Sequence, residues 1–587
     1  MVKVAVLDSA VDIFSSIFEN ANVYICDEFS SGRDEFENKH GTAVCEVIGQ
    51  NIKGNDRIEF VIFPIFDENG EADPEDIIAA LNYIDNIGDF QIVNMSMGFL
   101  DGTYEKEMDQ ICCSLRRKGT ILVASFSNTG EMTYPACLDS VIGVDISNKI
   151  DIKDSYIFNK EGCVNIIFPD KQYSISFGKE NIYLVRGTSF AAAELTGKII
   201  SYLLREIDAS YEKLMEYLSQ RAVKKIGNLY EKDCIKPEFE FGKIGLFPYC
   251  KETVSIVQSK EFLHYKLVGI YDYKYSSHIG EIIENPYDCS KFIVESEKNI
   301  PWNEIETLIV AYTAENNNLI KKIFYTTIHE AIEKGIRIYS FDDITKIYNN
   351  KQVWCPIINN DFLPKTQEGK LWYINKPVIG ILGTRSRQGK FTTQIRFVRA
   401  LQERSYDVGW ISTEPAGYLF GADYVFAYGY HSTVQLNTEE YTIAINKMLH
   451  DMSKTKDINV IGLQGSVLHL NTGNINQLSI KQHALLFGAY TDVVILCVNI
   501  TDDEILIESI INYLCACFGV LVIGILIYPM VYIESLSGNF EEIVATSQQL
   551  ELKIKKLEEK FKCYIFVMND QNISSLVDII IDELSGE

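Results

Sequence analysis

RGTSFAAAELTG, residues 186–197, sets a Gly-Thr-Ser triplet directly before a run of alanines. Ser189 stands where a chain enters a helix, a position at which serine and threonine are favoured as caps. The same position also suits a nucleophile at the head of a buried helix. The two readings divide on whether the rest of the chain supplies the partners that a reactive hydroxyl needs.

Three earlier stretches supply candidates. KVAVLDSAVD (3–12) is an apolar run that stops at Asp8, where a buried parallel strand would end. Carboxylates at such ends lie at the functional edge of a sheet, although an aspartate there also caps turns. NKHGTAVCEVIG (38–49) puts His40 in the first turn of a helix, followed by a glycine that lets a backbone come close. IVNMSMGF (92–99) and ILVASFSNTG (121–130) read as strands, the second ending at Asn128. Strands alternating with helical stretches predict an α/β fold with a doubly wound parallel sheet.

A serine is a poor nucleophile until a histidine takes its proton, and that histidine needs a carboxylate to hold its tautomer. The tetrahedral oxyanion needs donors, and an asparagine side chain beside a backbone N–H serves. Asp8, His40, Asn128 and Ser189 occur in that order. With VNMSMG, YPA and RGTSFAAA, these stretches make residues 1–205 resemble the subtilases, the subtilisin-like serine proteases. The resemblance implies that Asp8 orients, His40 is the general base, Ser189 attacks and Asn128 donates to the oxyanion. It implies that Ser96, Met97 and Gly98 pair with an extended substrate by strand addition, and that Phe126 and Ser127 line a narrow pocket before the cut. It also implies an intracellular member with no propeptide before Asp8, no cofactor for proteolysis and no catalytic metal. The chain departs from the family pattern at Ala10, Ala43, Ser127 and Ala193, none of them a catalytic group; Ala193 bears on the balance between hydrolysis and aminolysis.

The whole chain has 587 residues, 47% apolar and 23% charged, with a net charge of −27, enough for about three or four domains. The acidity argues against a nucleic-acid partner and favours attraction of cationic peptides. Fourteen scattered cysteines lack zinc-ligand spacing and predict reduced thiols in a cytoplasmic protein. The N-terminus does not read as a signal peptide. Ser509 to Ile533 carries no charge, but Gly519 and Pro529 break it; a helix ending at Gly519 followed by a buried strand is expected rather than a membrane span.

Residues 206–239 read as a helical linker, with an amphipathic helix over 208–225 that ends in basic residues. Four strand-like runs in 240–372 predict a small Rossmann-like domain without a dinucleotide fingerprint. Residues 373–587 open with KPVIGILGTRSRQGKFTTQIRF, a strand, a glycine loop and a helix. Gly383, Gly389, Lys390, Thr392 and Thr393 are the candidates for cradling phosphate. Phe391 stands where a magnesium-binding hydroxyl is usual. With NVIGLQGSVLHLNTG and YTDVVILCVNIT, residues 240–587 resemble the D-glutamate N-acetyltransferase family, a Rossmann-like domain joined to a P-loop NTPase-like domain. The resemblance implies ATP, GTP or acyl-CoA at the loop; Gly462 replaces the family's acid before its Gly-Gln-Gly.

Three functions follow as alternatives. The first is a serine endopeptidase, in one version maturing a ribosomal peptide, with a C-terminal half that regulates or docks. The second is an acyl or group transferase with an accessory protease. The third is a silent peptide-binding scaffold. The expected partner is a peptide or protein substrate, with a second copy of the chain as an open alternative.

Overall fold

The computed structural model describes the chain apart from residues 19–20, 30–38, 53–57, 68–69, 149, 151–154, 161, 178–180, 207–209, 227–235, 238, 286–289, 313–316, 364–368, 430, 469–479, 535–539 and 587. It divides into two units: Met1–Glu231 with Pro364–Asn375, and Lys232–Leu363 with Lys376–Glu587.

The first unit is built on a nine-stranded sheet. Its central strands, in spatial order, are Ile142–Ser147, Ile121–Ser125, Ile92–Met95, Val2–Asp8 and Ile58–Pro64, all parallel. Val2–Asp8 lies between Ile92–Met95 and Ile58–Pro64 and is apolar throughout its interior. Val4 and Val6 enter the core on one face, while Ala5 and Leu7 enter the core on the other, which is the alternation a doubly covered strand requires. The helices Lys39–Gln50 and Thr188–Leu203 pack together on the first of these faces.

The predicted helix over 208–225 is shorter, Tyr211–Arg221, with Leu214, Met215 and Leu218 in the first unit's core. Ala222 turns extended, and Lys224–Ile226 is a strand at the edge of the nine-stranded sheet. The basic tail is therefore strand rather than helix.

The second unit holds two seven-stranded sheets. In one, Lys243–Phe247, Lys266–Asp272, Thr307–Val310 and Arg337–Ser340 run parallel, with Val353–Trp354, Lys291–Ser296 and the antiparallel Ile282–Glu284 outside them. The other is fully parallel, and its strand Val378–Gly383 lies between Ile458–Gly462 and Val493–Asn499. A single apolar core joins residues of both sheets, from Phe241 and Tyr339 to Ile381 and Leu526. The helix Glu504–Phe518 stops at Gly519, whose φ of 67° only glycine adopts readily, and Leu521–Tyr528 is a buried strand. Among the described residues no helix is long and apolar enough to cross a membrane.

Candidate active site

Asp8 is the last residue of the interior strand Val2–Asp8 and is fully buried. Its Oδ1 lies 2.8 Å from His40 Nδ1 and accepts 2.7 Å from the backbone N–H of Ser9. Gly41 makes this approach possible: a Cβ there would stand 2.5 Å from the Ser9 carbonyl, and its N–H donates 2.9 Å to Ser9 Oγ. The Asp8 carboxylate raises the affinity of the imidazole for its proton, against the effect of burial. The ring also meets Phe190, the residue after Ser189, tilted by 50° with centroids 5.4 Å apart.

Ser189 opens the helix Thr188–Leu203 behind Gly187, whose φ of 139° is closed to other residues. Its hydroxyl donates 3.1 Å to the Ser96 carbonyl and not to His40. Asn128 is fixed by Thr188: the backbone N–H (3.0 Å) and hydroxyl (3.2 Å) both point at its Oδ1. An N–H can only donate, so the oxygen faces Thr188 and Nδ2 remains as the outward donor. Ser96 and Met97 are buried, and Gly98 is exposed. A cavity of about 320 Å³ beside Asn128 and Thr188 is also lined by Ser127, Asp145 and Lys370. Phe126 is not in its wall. The ring is 1% exposed and points into the core where Gly143 leaves room for it, so the expectation that it lines a narrow pocket is corrected.

In the second unit Gly383 ends a buried strand, and a Cβ there would sit 2.8 Å from Lys390 Cδ. Gly389 has φ 68° and starts the helix Lys390–Glu403. Lys390 is buried; its Nζ donates 2.5 Å to the Arg385 carbonyl, and burial brings its pKa down to about 8. A cavity of about 590 Å³ is lined by Lys251, Arg387, Gly389, Lys390, Thr392 and Glu414, among others. Thr393 is instead fully buried, within 3.8 Å of Cys497 Sγ and 3.6 Å of Met568 Sδ. Its place as a ligand residue is corrected to one in the core.

Comparison with known families follows these two sites. Residues 1–226 match the subtilase family. Residues 365–505 match a P-loop domain of unknown function, DUF1611. A DUF1611 protein of Anabaena variabilis is 13% identical, covering 58% of this chain and all of that one, with TM-score 0.44. The prenylagaramide maturation protease PagA is 20% identical over 38% of this chain and 90% of its own, with TM-score 0.31. A lanthipeptide protease is 18% identical over 39% and 82%, with TM-score 0.32. Among curated proteins, none matches the chain.

The first unit has the largely parallel, doubly wound sheet that its motifs predict. Some of what surrounds the two sites has no motif. Lys370 comes from the far part of the chain, and its ion pair with Asp145 gives no local signal. Asp502 is buried beneath the P-loop, where it holds Thr384, Gln388 Nε2 (2.9 Å) and Arg385 Nε (2.7 Å). Glu414 lines the same cavity as Lys390; burial raises its carboxyl, and Lys251 opposes the rise. Gly462 acquires a physical reason. A Cβ there would lie 2.0 Å from Gln394 Nε2, and Gln394 accepts 3.2 Å from Trp410 Nε1. The amide fills the space an acid would occupy. Part of QGSVLHLNTG, residues 469–473, lies outside the described residues.

Proposed function

We propose that the subtilase unit hydrolyses internal peptide bonds, with Ser189 as nucleophile, His40 as general base, Asp8 as its orienting carboxylate and Asn128 as an oxyanion donor. The observation that carries this reading is the Asp8–His40 contact of 2.8 Å, with the imidazole packed at a tilt against the residue next to Ser189. In the reaction the Ser189 hydroxyl leaves the Ser96 carbonyl, gives its proton to His40 Nε2 and attacks the scissile carbonyl carbon. The carbonyl oxygen becomes the oxyanion and accepts from Asn128 Nδ2. His40, cationic and stabilised by Asp8, then protonates the leaving amine. Water repeats the sequence on the acyl-enzyme, giving the free acid and restoring Ser189. Ser96 to Gly98 offers the edge along which an extended peptide lies.

A fluorophosphonate probe tests the assignment. Wild type should be labelled and Ser189→Ala should not; equal labelling of both would overturn it. Removal of a leader from a ribosomal precursor is the narrower form of this reading. It requires one cut in a long peptide rather than general degradation, and mass spectrometry of products distinguishes the two.

A second reading concerns the other unit. The cavity lined by Lys251, Arg387 and Lys390 supports binding of an anionic ligand, a nucleotide or an acyl-CoA, at the loop Gly383–Lys390. The filled space at Gly462 favours binding over magnesium-assisted hydrolysis, and so a regulatory or docking role over group transfer. Calorimetry with ATP, GTP and acetyl-CoA, with and without magnesium, tests it; no heat from any would leave the loop without a ligand.

A further inference from the structure

The cavity beside Asn128 is closed on one side by a piece of chain far from it in sequence. Residues Gly369 to Asn375 belong to the first unit and are fastened at three points. The Leu371 carbonyl accepts 2.9 Å from Met132 N–H. Trp372 packs on Tyr134 with centroids 5.9 Å apart, and Asn375 Nδ2 donates 3.2 Å to Asp101 Oδ1. Lys370 is thereby held in the cavity wall. Its Nζ lies 3.0 Å from Asp145 Oδ2, with side chains only 7% and 14% exposed, and 5.1 Å above the ring of the sunken Phe126.

Asp145 and Lys370 are opposite charges in one cavity wall, and the wall is neutral as a whole. A lysine or arginine side chain entering it would meet Asp145 but also a neighbouring ammonium. An aspartate or glutamate would meet the reverse. Either adds an unbalanced charge beside a pair whose side chains are only 7% and 14% exposed, which is costly. A large apolar side chain would cover the pair without offering it a hydrogen bond. A carboxamide fits both groups at once: its NH₂ donates to Asp145 and its oxygen accepts from Lys370.

We propose that the Asp145–Lys370 pair selects the substrate side chain beside the scissile bond, and that it selects the carboxamide of asparagine or glutamine. This rests on the peptidase reading of Ser189. The segment 369–375 is in this sense a specificity element of the subtilase unit.

The test uses the full-length protein and a peptide library varied on both sides of the cut, read by mass spectrometry. A separate aliquot of each protein is tested for labelling at Ser189 with the fluorophosphonate. No labelling of wild type would sink the peptidase reading itself; labelling with an altered or unaltered preference speaks only to the pocket. Wild type should cut peptides with asparagine or glutamine at one flanking position at least tenfold faster than those with a charged residue there. Lys370→Met, which leaves Asp145 alone, should move the preference toward lysine and arginine. Asp145→Asn, which keeps the volume and leaves Lys370 alone, should move it toward aspartate and glutamate. If Lys370→Met does not fold, Asp145→Asn reads the same pocket from its other charge. A wild-type preference for charged or large apolar residues would overturn the proposal. So would a preference that stays put in variants whose separate aliquots react with the probe.

Discussion

At His40 the imidazole holds its proton more tightly than a free histidine because the Asp8 carboxylate is 2.8 Å from Nδ1. A general base must be neutral, so kcat/KM should climb with pH through a value above the ordinary imidazole figure of about 6.5. Asp8→Asn should move that limb to lower pH and cost about 10⁴ in turnover. A limb that stays in place would assign it to another group. The same pair acts on folding with a definite sign. Its folded pKa is above the unfolded one, so its stabilisation is complete below about pH 6.5 and is lost as pH rises through the folded value. Asn128 is poised differently, since Thr188 occupies its oxygen and only Nδ2 is left for the oxyanion. Asn128→Ala should lower kcat by about 10² to 10³ and leave KM near wild type; a raised KM with kcat intact would make it a binding residue. Lys390 carries a third prediction. With its pKa brought down to about 8 by burial, its charge, and with it phosphate affinity, should fall as pH rises beyond that value. Lys390→Ala should remove this dependence in calorimetric titrations with ATP.

The two helices that carry His40 and Ser189 touch through a glycine. A Cβ on Gly197 would lie 2.3 Å from the Ile48 carbonyl and 2.7 Å from Asn51 Cβ, so Gly197→Ala must push Lys39–Gln50 away from Thr188–Leu203. Overpacking of this kind costs roughly 1–3 kcal/mol. On the proposed reading the helix ends bear the reacting groups, so probe labelling should slow as well as stability fall in urea. Loss of stability with labelling unchanged would show that the helices reseat without disturbing the site. These elements were readable from the residues because each motif is local: an apolar run stopping at Asp8, a glycine after His40, alanines after Ser189. Phe126 was misread for the same reason. Its place in ILVASFSNTG identifies the strand end, but not the hole at Gly143 that swallows the ring. Thr393 was misplaced similarly, one residue past the last one the loop exposes. The Asp145–Lys370 and Arg385–Asp502 pairs join residues more than a hundred positions apart, and an ion pair has no period or spacing by which a sequence announces it.

A net charge of −27 acts on a peptide before any pocket does. On the proposed reading, kcat/KM for peptides with distal lysines should drop as salt is raised, while neutral peptides of the same core should be nearly indifferent. Equal salt dependence for both would mean that the field plays no part in capture. The path of the chain carries a last consequence. It leaves the first unit after Glu231, returns for Pro364–Asn375, and leaves again, so the first unit is assembled from two separate stretches of chain. A protease that nicks the chain between residues 231 and 232 would not free the first unit. The second fragment would still hold its stitch, with Trp372 on Tyr134 and Lys370 on Asp145. Such a nicked protein should run as two bands in denaturant and travel as one particle without it.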